Sequence, residues 1–361
     1  MRPNSSPLPT LNSSRPRSVR PRVHAAVALA LGVVVAGLAI SVPACAQAFQ
    51  ANIVSADRAL EGNTPAYQAL MEGRVDDATE LLRSTLAANP RDATAHQLLC
   101  RVLYAENDAE GAIHQCELAA ASATNDNQAS DDQLWLGRAY GMKARHAGPI
   151  TGFGLARKVE ACFARAVELN PANVAALNDL GEYYVSAPSI VGGGDDKAQA
   201  LAARMMPRFP ADAHRLLARL ADSNNNLATA EAEFRRAVGV QGASQAWIDL
   251  AQFYQARSRP DDALAAIKSG LAADRTHGPV LVDAASILTA ANRAPDLAER
   301  CLRTYLASPA KSDAAPAFKV HLQLSKLLAA RGDSRDAIRE VEAAAALAPA
   351  STRNAKPAQG L

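Results

Sequence analysis

Two histidines and two cysteines lie close together in the sequence, and these are the side chains that most often bind zinc in proteins. They are His96, Cys100, His114 and Cys116. Their spacing does not match a compact zinc-binding pattern, and His114 is expected to face outward from its helix. We therefore predict no metal site. Cys100 and Cys116 belong to facing helices, so in an oxidising compartment they either form a disulfide or stay as buried thiols.

A glycine-rich stretch, Gly192-Gly193-Gly194, precedes a predicted helix, and backbone N–H groups at a helix start attract phosphate. Asp195 and Asp196 occupy that helix start, however, and Lys197 is followed by Ala198, where a phosphate-binding loop has Ser or Thr. An aspartate N-cap after a flexible turn is the better interpretation. The sequence contains no serine-hydrolase or zinc-protease motif, so we predict a non-catalytic protein without cofactors.

The composition favours an all-α protein. Hydrophobic residues make up 49% of the 361 residues and aromatic residues only 4%, while alanine and leucine, which favour helices, are abundant. Runs of β-branched residues are scarce after residue 54, which leaves little to form a sheet. The first 46 residues contain five arginines and no acid, so the remainder carries 33 basic and 36 acidic residues. This balance gives no case for nucleic-acid binding.

The N-terminal segment is typical of an export signal. Residues 1–24 are rich in Pro, Ser and Arg, residues 25–40 contain no charge, and Ala44-Cys45-Ala46 forms a small-residue cleavage motif. We predict a signal peptide over residues 1–46 and a periplasmic or secreted protein. An uncleaved membrane anchor and a lipoprotein modified at Cys45 are the alternatives, and either one would attach the protein to a membrane.

A repeat with a period near 34 residues occupies most of the chain. Its clearest copy reads Trp247-x2-Leu250-Ala251-x2-Tyr254, and in each copy a small residue followed four positions later by a larger one marks the second helix. Eight such pairs recur: Ala78/Leu82, Ala112/Cys116, Val159/Phe163, Ala198/Ala202, Ala230/Phe234, Ala263/Ile267, Leu297/Cys301 and Ala337/Val341. Small residues let two helices approach closely, and a large residue one turn away fills the groove between them.

These positions resemble the tetratricopeptide-repeat family, whose pattern is W-x2-L-G-x2-Y, then A-x3-F, then a closing proline. The resemblance covers about residues 59–349 and implies an all-α fold, a right-handed α-solenoid of about eight helical hairpins whose first helices line a concave face. The predicted copies span residues 59–92, 93–126, 130–173, 174–212, 211–243, 244–277, 278–311 and 318–351. We expect a linker at residues 47–58 and a disordered tail at residues 350–361.

Two insertions interrupt the repeat between the two helices of copies three and four. The first runs from Lys143 to Gly154 and the second from Ala187 to Lys197. Since both lie in the same turn of neighbouring hairpins, we expect them to emerge side by side along one edge and to bind a partner. Their candidate binding residues are Ile150, Phe153, Ile190 and Val191.

The second insertion contains Pro188-Ser189-Ile190-Val191-Gly192-Gly193. This stretch resembles a group of exported bacterial tetratricopeptide-repeat proteins. The resemblance implies a shared variant of the hairpin and no catalytic residues.

The predicted concave face carries more cations than acids. The residues at its template positions are Gln97, Arg101, Arg138, Asn178, Glu182, Arg215, Arg219, Gln252 and Lys326. Such a groove favours an acidic or carboxylate-bearing segment. We therefore predict a protein- or peptide-binding scaffold of the periplasm or cell envelope, which uses the concave face and the two edge loops. A periplasmic small-ligand carrier is the alternative.

Overall fold

The computed structural model describes residues 64–352, and every regular element in that range is helical. The helices are α1 (Pro65–Met71), α2 (Val75–Ala88), α3 (Ala93–Ala105), α4 (Ala109–Ser122), α5 (Asp126–Ala144), α6 (Pro149–Leu169), α7 (Val174–Ser186), a 3₁₀ turn (Ser189–Val191), α8 (Asp195–Met205), α9 (Pro210–Ser223), α10 (Leu227–Val238), α11 (Ser244–Ala256), α12 (Pro260–Ala273), α13 (Val280–Ala290), α14 (Pro295–Ala307), α15 (Ala317–Ala330), α16 (Ser334–Leu347) and α17 (Pro349–Thr352). The predicted signal peptide, the linker and residues 353–361 of the tail lie outside the described residues. Within residues 64–352, no helix is long and apolar enough to cross a membrane.

Consecutive helices pair as hairpins, from α1/α2 to α15/α16, which makes eight hairpins in the described range. The predicted all-α solenoid of helical hairpins is therefore confirmed. The short helix α17 follows the last hairpin. Residues 350–352, which the sequence assigned to a disordered tail, are helical instead, and Thr352 is buried.

The packing within each hairpin depends on the small residues that marked the repeat. Ala78 and Ala230 are fully buried, and a Cβ added to Gly137 would lie 2.5 Å from a ring carbon of Phe163. In the seventh copy the register predicted from the sequence is wrong by one residue. The buried pair there is Ala298 and Leu302, while Leu297, the predicted small position, is partly exposed.

The first and last hairpins of this array are in contact. One apolar cluster joins Leu70 and Leu99 of the first two hairpins to Phe318 of the last one. A Cβ added to Gly73 would lie 2.7 Å from the backbone nitrogen of Ala317, so only glycine lets these two hairpins approach so closely. The backbone N–H of Ala350 also donates to the carboxylate of Asp76 at 3.0 Å.

Among the described residues, the apolar core is divided among three clusters of buried side chains, which run from Ala66 to Ala348. A protein that begins at residue 47 keeps all of these residues.

Candidate binding surfaces

The predicted inner-face cations are largely buried and paired with acids. Arg138 in α5 donates from Nε to Asp179 in α7 at 2.6 Å, and Arg215 in α9 donates from Nε to Asp249 in α11 at 2.5 Å. Each pair joins the first helices of neighbouring hairpins. The predicted excess of cations is wrong at these positions, because each guanidinium already faces a carboxylate of the same chain.

Arg219 shares this arrangement. Its guanidinium pairs with Glu182 and lies 3.4 Å from a carboxylate oxygen of Asp249. Burial raises the pKa of Asp249, but Arg215 and Arg219 more than offset this effect, so its pKa lies below the ordinary value. Asp249 therefore stays ionised and balances the two arginines.

The acids that the sequence reasoning missed share one position in the repeat. They are Asp179, Asp249 and Asp283, each two residues before the small residue of its first helix. Arg138, which directly follows the small residue Gly137 of the preceding copy, reaches this position. Arg219, which directly follows Ala218, reaches Asp249 in the same way at 3.4 Å. This offset is the sequence signal that could have found these two contacts, whereas Arg215 reaches Asp249 from a different template position.

Arg101, another predicted inner-face residue, has an acid partner from much later in the chain. Its Nε donates to Asp313 at 2.6 Å, and both side chains are buried. Its guanidinium also lies 5.1 Å from the ring centroid of Trp135. Asp313 belongs to the connection between α14 and α15. The end of this connection and the first two residues of α15, residues 312–318, are buried throughout. We call residues 312–318 the covering segment.

Tyr305 holds the covering segment in place. Its hydroxyl donates to the carbonyl oxygen of Ala315 at 2.7 Å and accepts from the backbone N–H of Ser312 at 3.0 Å. Ala314 packs into the apolar cluster formed by the hairpins from α3 to α9. The inner surface beside Arg101 is thus occupied by the chain itself.

Other predicted inner-face residues stay accessible. Four of them are partly exposed, namely Asn178, Glu182, Arg219 and Gln252. Lys326 is exposed. Asn178 donates from Nδ2 to Asp212 at 2.9 Å. The accessible inner face from hairpin four onward is therefore polar and nearly balanced in charge.

Gln97 and Asp132 form a buried polar pair in α3 and α5. Neither the amide atoms of Gln97 nor the carboxylate oxygens of Asp132 make a hydrogen bond of normal geometry. Burial and the neighbouring charge of Asp131 raise the pKa of Asp132 to about 8, although Gln97 lowers it in part. Gln97, predicted to face a ligand, is inaccessible here.

The two insertions lie side by side, which confirms the predicted neighbourhood. The hydroxyl of Tyr183 in α7 lies 2.8 Å from the carbonyl oxygen of Ala156 in the first helical turns after one insertion and 2.7 Å from that of Val191 in the other. Lys197 Nζ also donates to the Gly192 carbonyl at 2.8 Å. Ile150, Phe153 and Ile190 project into solvent at this edge, and we call these three residues the edge surface.

The detailed shapes of the insertions differ from the prediction in three respects. Residues 149–154 are the first turns of α6 rather than a loop, because Pro149 is well suited to the first position of a helix. Val191, a predicted binding residue, is the last residue of the 3₁₀ turn and is buried. The N-cap of α8 is Gly194, so Asp195 and Asp196 lie in its first turn instead of capping it.

Cys100 and Cys116 form a disulfide that links α3 to α4, with their Cα atoms 5.3 Å apart. The ring nitrogens of His96 lie 2.7 Å from Gln115 Oε1 and 3.1 Å from the Pro90 carbonyl oxygen, and His114 is exposed. In the part of the chain that the structure describes, no group of three His, Cys, Asp or Glu residues is placed to hold a metal ion.

Comparison with known proteins identifies the repeat. Residues 69–131 match the family model for the tetratricopeptide repeat. No curated protein matches the sequence. Similar solved structures include yeast Tom70, which is 17% identical with a TM-score of 0.47, and for which the alignment covers 81% of this chain and 62% of that one.

Two bacterial structures are also similar to this chain. A thermophilic tetratricopeptide-repeat protein of Thermus thermophilus is 21% identical with a TM-score of 0.39, covering 60% of this chain and 92% of that one. A tetratricopeptide-repeat protein of Parabacteroides merdae is 15% identical with a TM-score of 0.40, covering 68% and 94%. The hairpin type of the matched segment recurs up to α16. Residues 69–131 therefore match the tetratricopeptide repeat by sequence, and the described residues fold as a solenoid of helical hairpins.

Proposed function

We propose that this chain is a non-catalytic scaffold of the periplasm or cell envelope that binds a protein or peptide on its inner face. Tetratricopeptide-repeat proteins generally mediate interactions between proteins. The observation that carries the proposal is the covering segment. Its nonhelical part, residues 312–316, already lies on the inner surface beside Arg101, with Asp313 bound by Arg101.

The accessible inner face continues from this occupied part. Asn178, Gln252 and Arg219 there offer amide and guanidinium donors, and Glu182 offers an acceptor. Such side chains suit the hydrogen-bonding groups of an extended peptide backbone. Because the cations are balanced by acids, we no longer expect strong selection for an acidic partner.

The disulfide supports the proposed location. Disulfides persist in oxidising compartments such as the periplasm and are rare in the cytosol. The Cys100–Cys116 bond therefore agrees with the export signal expected from residues 1–46.

Site-specific crosslinking in the native cell tests the scaffold role. A photoreactive residue placed at Gln252 on the accessible inner face is expected to yield discrete protein adducts in the envelope fraction. The same residue at Lys268, exposed on the second helix α12, is the matched control. No adducts from position 252, or the same adducts from both positions, would count against binding on the inner face.

A further inference from the structure

The edge surface exposes apolar side chains to an unusual degree. Ile150 is 92% exposed, Ile190 is 74% exposed and Phe153 is 42% exposed. Burying such side chains is what most strongly favours folding and binding in water, so their exposure at one place indicates a surface that meets an apolar environment.

This exposure is held by the fold. The Tyr183 hydroxyl lies 2.8 Å from the carbonyl oxygen of Ala156 and 2.7 Å from that of Val191, and its one proton is available to either oxygen. Tyr183 therefore lies between the first turns of α6 and the 3₁₀ turn that carries Ile190 and contacts both. A Cβ added to Gly193 would lie only 1.8 Å from the carbonyl oxygen of Ala187, so the second insertion has one tightly determined path. The three apolar side chains are therefore presented on a rigid support.

The first insertion and the start of α6 carry more positive than negative charge. The sequence from residue 133 to residue 159 contains five arginines and lysines and no acid. Arg138 is buried against Asp179 and Lys143 pairs with Glu110, which leaves Arg145, Arg157 and Lys158. Arg157 follows Phe153 by four residues in α6, on the same side of the helix, and is exposed. Within residues 64–352 no carboxylate pairs with Arg157. Arg145, at the start of the first insertion, is also exposed.

Three acids lie near these cations. Glu160 lies 3.6 Å from Lys197 Nζ, and the carboxylate of Asp195 accepts from Asn224 Nδ2 at 2.6 Å. Asp196 is exposed at the start of α8. Exposed cations thus lie beside the apolar tips. Among the nearby acids, Glu160 pairs with a cation, whereas Asp195 and Asp196 keep their negative charge.

The size of the edge surface distinguishes between a protein partner and a lipid membrane. A stable protein interface buries about 800 Å² on each partner, far more than three side chains supply. A lipid surface requires only a few apolar side chains that insert at the boundary between headgroups and acyl chains, with cations beside them. We propose that the edge surface docks on an anionic membrane, with Ile150, Phe153 and Ile190 inserted and Arg157 against the lipid phosphates.

This docking is independent of the inner face proposed for protein binding. The edge surface lies at the turns of hairpins three and four, whereas the inner face lies along the first helix of each hairpin. The scaffold would then sit on a membrane while its inner face stays available. Loss of one activity need not affect the other.

Vesicle partitioning tests the proposal with the protein that begins at residue 47. The probes are vesicles of pure phosphatidylcholine and vesicles with about 30% phosphatidylglycerol, compared by sedimentation at low and high salt. We expect stronger binding to the anionic vesicles, weakened by salt. The double variant Ile150→Ser/Ile190→Ser is expected to lower partitioning by about tenfold or more. Arg157→Gln is expected to lower it about fivefold on anionic vesicles only.

Matched variants keep the test specific. Leu81→Ser/Ile338→Ser removes two exposed apolar side chains elsewhere, and Arg300→Gln removes an exposed cation elsewhere. Both are expected to bind like the unmodified protein, and circular dichroism checks that every variant is folded. Absence of vesicle binding, or equal binding by the edge variant, would overturn the proposal. The proposal would also be overturned if the unmodified protein bound no vesicles and the double edge variant lost its protein crosslinks. The edge surface would then be a protein interface.

Discussion

The carboxylate of Asp313 accepts a hydrogen bond from Arg101 at 2.6 Å, although 212 positions separate the two residues in the sequence. The pair lies between the second hairpin and the connection that leads to the last hairpin. Both side chains are buried, so the carboxylate of Asp313 compensates charge on Arg101 in a region shielded from water. The pair therefore links the first and last parts of the described array.

The substitution Asp313→Ala is expected to destabilise the protein strongly. It leaves the Arg101 guanidinium buried without its carboxylate, which typically costs about 3 to 5 kcal/mol. Urea unfolding followed by circular dichroism measures the change. The control is Asp333→Ala, because Asp333 is exposed and lies 3.8 Å from Arg331. If both variants unfolded at the same urea concentration, the buried pair would not hold the two ends together.

A second variant separates the charge from the packing. Arg101→Met combined with Asp313→Leu removes both charges and keeps apolar volume at the site. We expect this double variant to recover much of the stability lost in Asp313→Ala, since a buried ion pair can often be replaced by well-packed apolar residues. Continued instability would mean that the shape of the covering segment, and not the unpaired charge, is responsible.

The local features of this fold were predictable, and the long-range ones were not. Small residues such as Ala78 mark the contact inside a hairpin because that contact involves residues close in sequence. The proximity of the insertions followed from their equivalent places in adjacent copies. The contact between Arg101 and Asp313 depends on how far the superhelix turns over six hairpins, which the sequence of any one copy does not specify.

The error in the seventh copy has a different origin. Leu297 and Cys301 are followed directly by Ala298 and Leu302, so two adjacent registers have the same spacing. The burial of Ala298 and Leu302 shows which register the helix takes. Only that register places a larger residue four positions after a small one, so the sizes of the side chains, rather than their spacing, could have identified it.

Asp132 is expected to make stability depend on pH. Its pKa is raised to about 8 from an ordinary value of 3.8, so between these values the folded protein keeps a proton that the unfolded chain has released. The contribution of Asp132 to the free energy of unfolding is therefore greatest below about pH 4 and is lost as the pH rises to about 8. The free energy of unfolding falls over this range by on the order of 1 kcal/mol per pH unit. Asp132→Asn should remove this fall.

Urea unfolding at a series of pH values measures this effect. The variant Asp333→Asn, at an exposed site, should keep the slope of the unmodified protein. Burial raises the pKa of Asp283 to about 7. Asp283 should therefore add a second fall in the free energy of unfolding with rising pH, which ends about one pH unit lower. A pH profile that Asp132→Asn leaves unchanged would show that this carboxyl is ionised when the protein is folded.

The Cys100–Cys116 disulfide is expected to stabilise the second hairpin. It closes a loop with a sequence separation of 16, for which the chain-entropy model gives about 3 kcal/mol. Replacing both cysteines with alanine should lower the thermal midpoint. Alkylation of the unfolded protein that begins at residue 47 should label only Cys162 and Cys301 before reduction, and all four cysteines after it. Labelling of all four before reduction would show that the bond is not formed.

Gly193→Ala is expected to disrupt the second insertion. An added Cβ would lie 1.8 Å from the backbone oxygen of Ala187, and backbone atoms cannot move aside as a flexible side chain can. The segment around Ile190 should then become a site of rapid proteolysis, while the distant hairpins stay folded. Gly148→Ala is the matched control, because no atom lies within 4 Å of its added Cβ and its φ of −65° suits alanine. Equal proteolysis rates for the two variants would mean that the close contact at Gly193 does not fix the path of the loop, and Ile190 would then lack the rigid support that membrane docking requires.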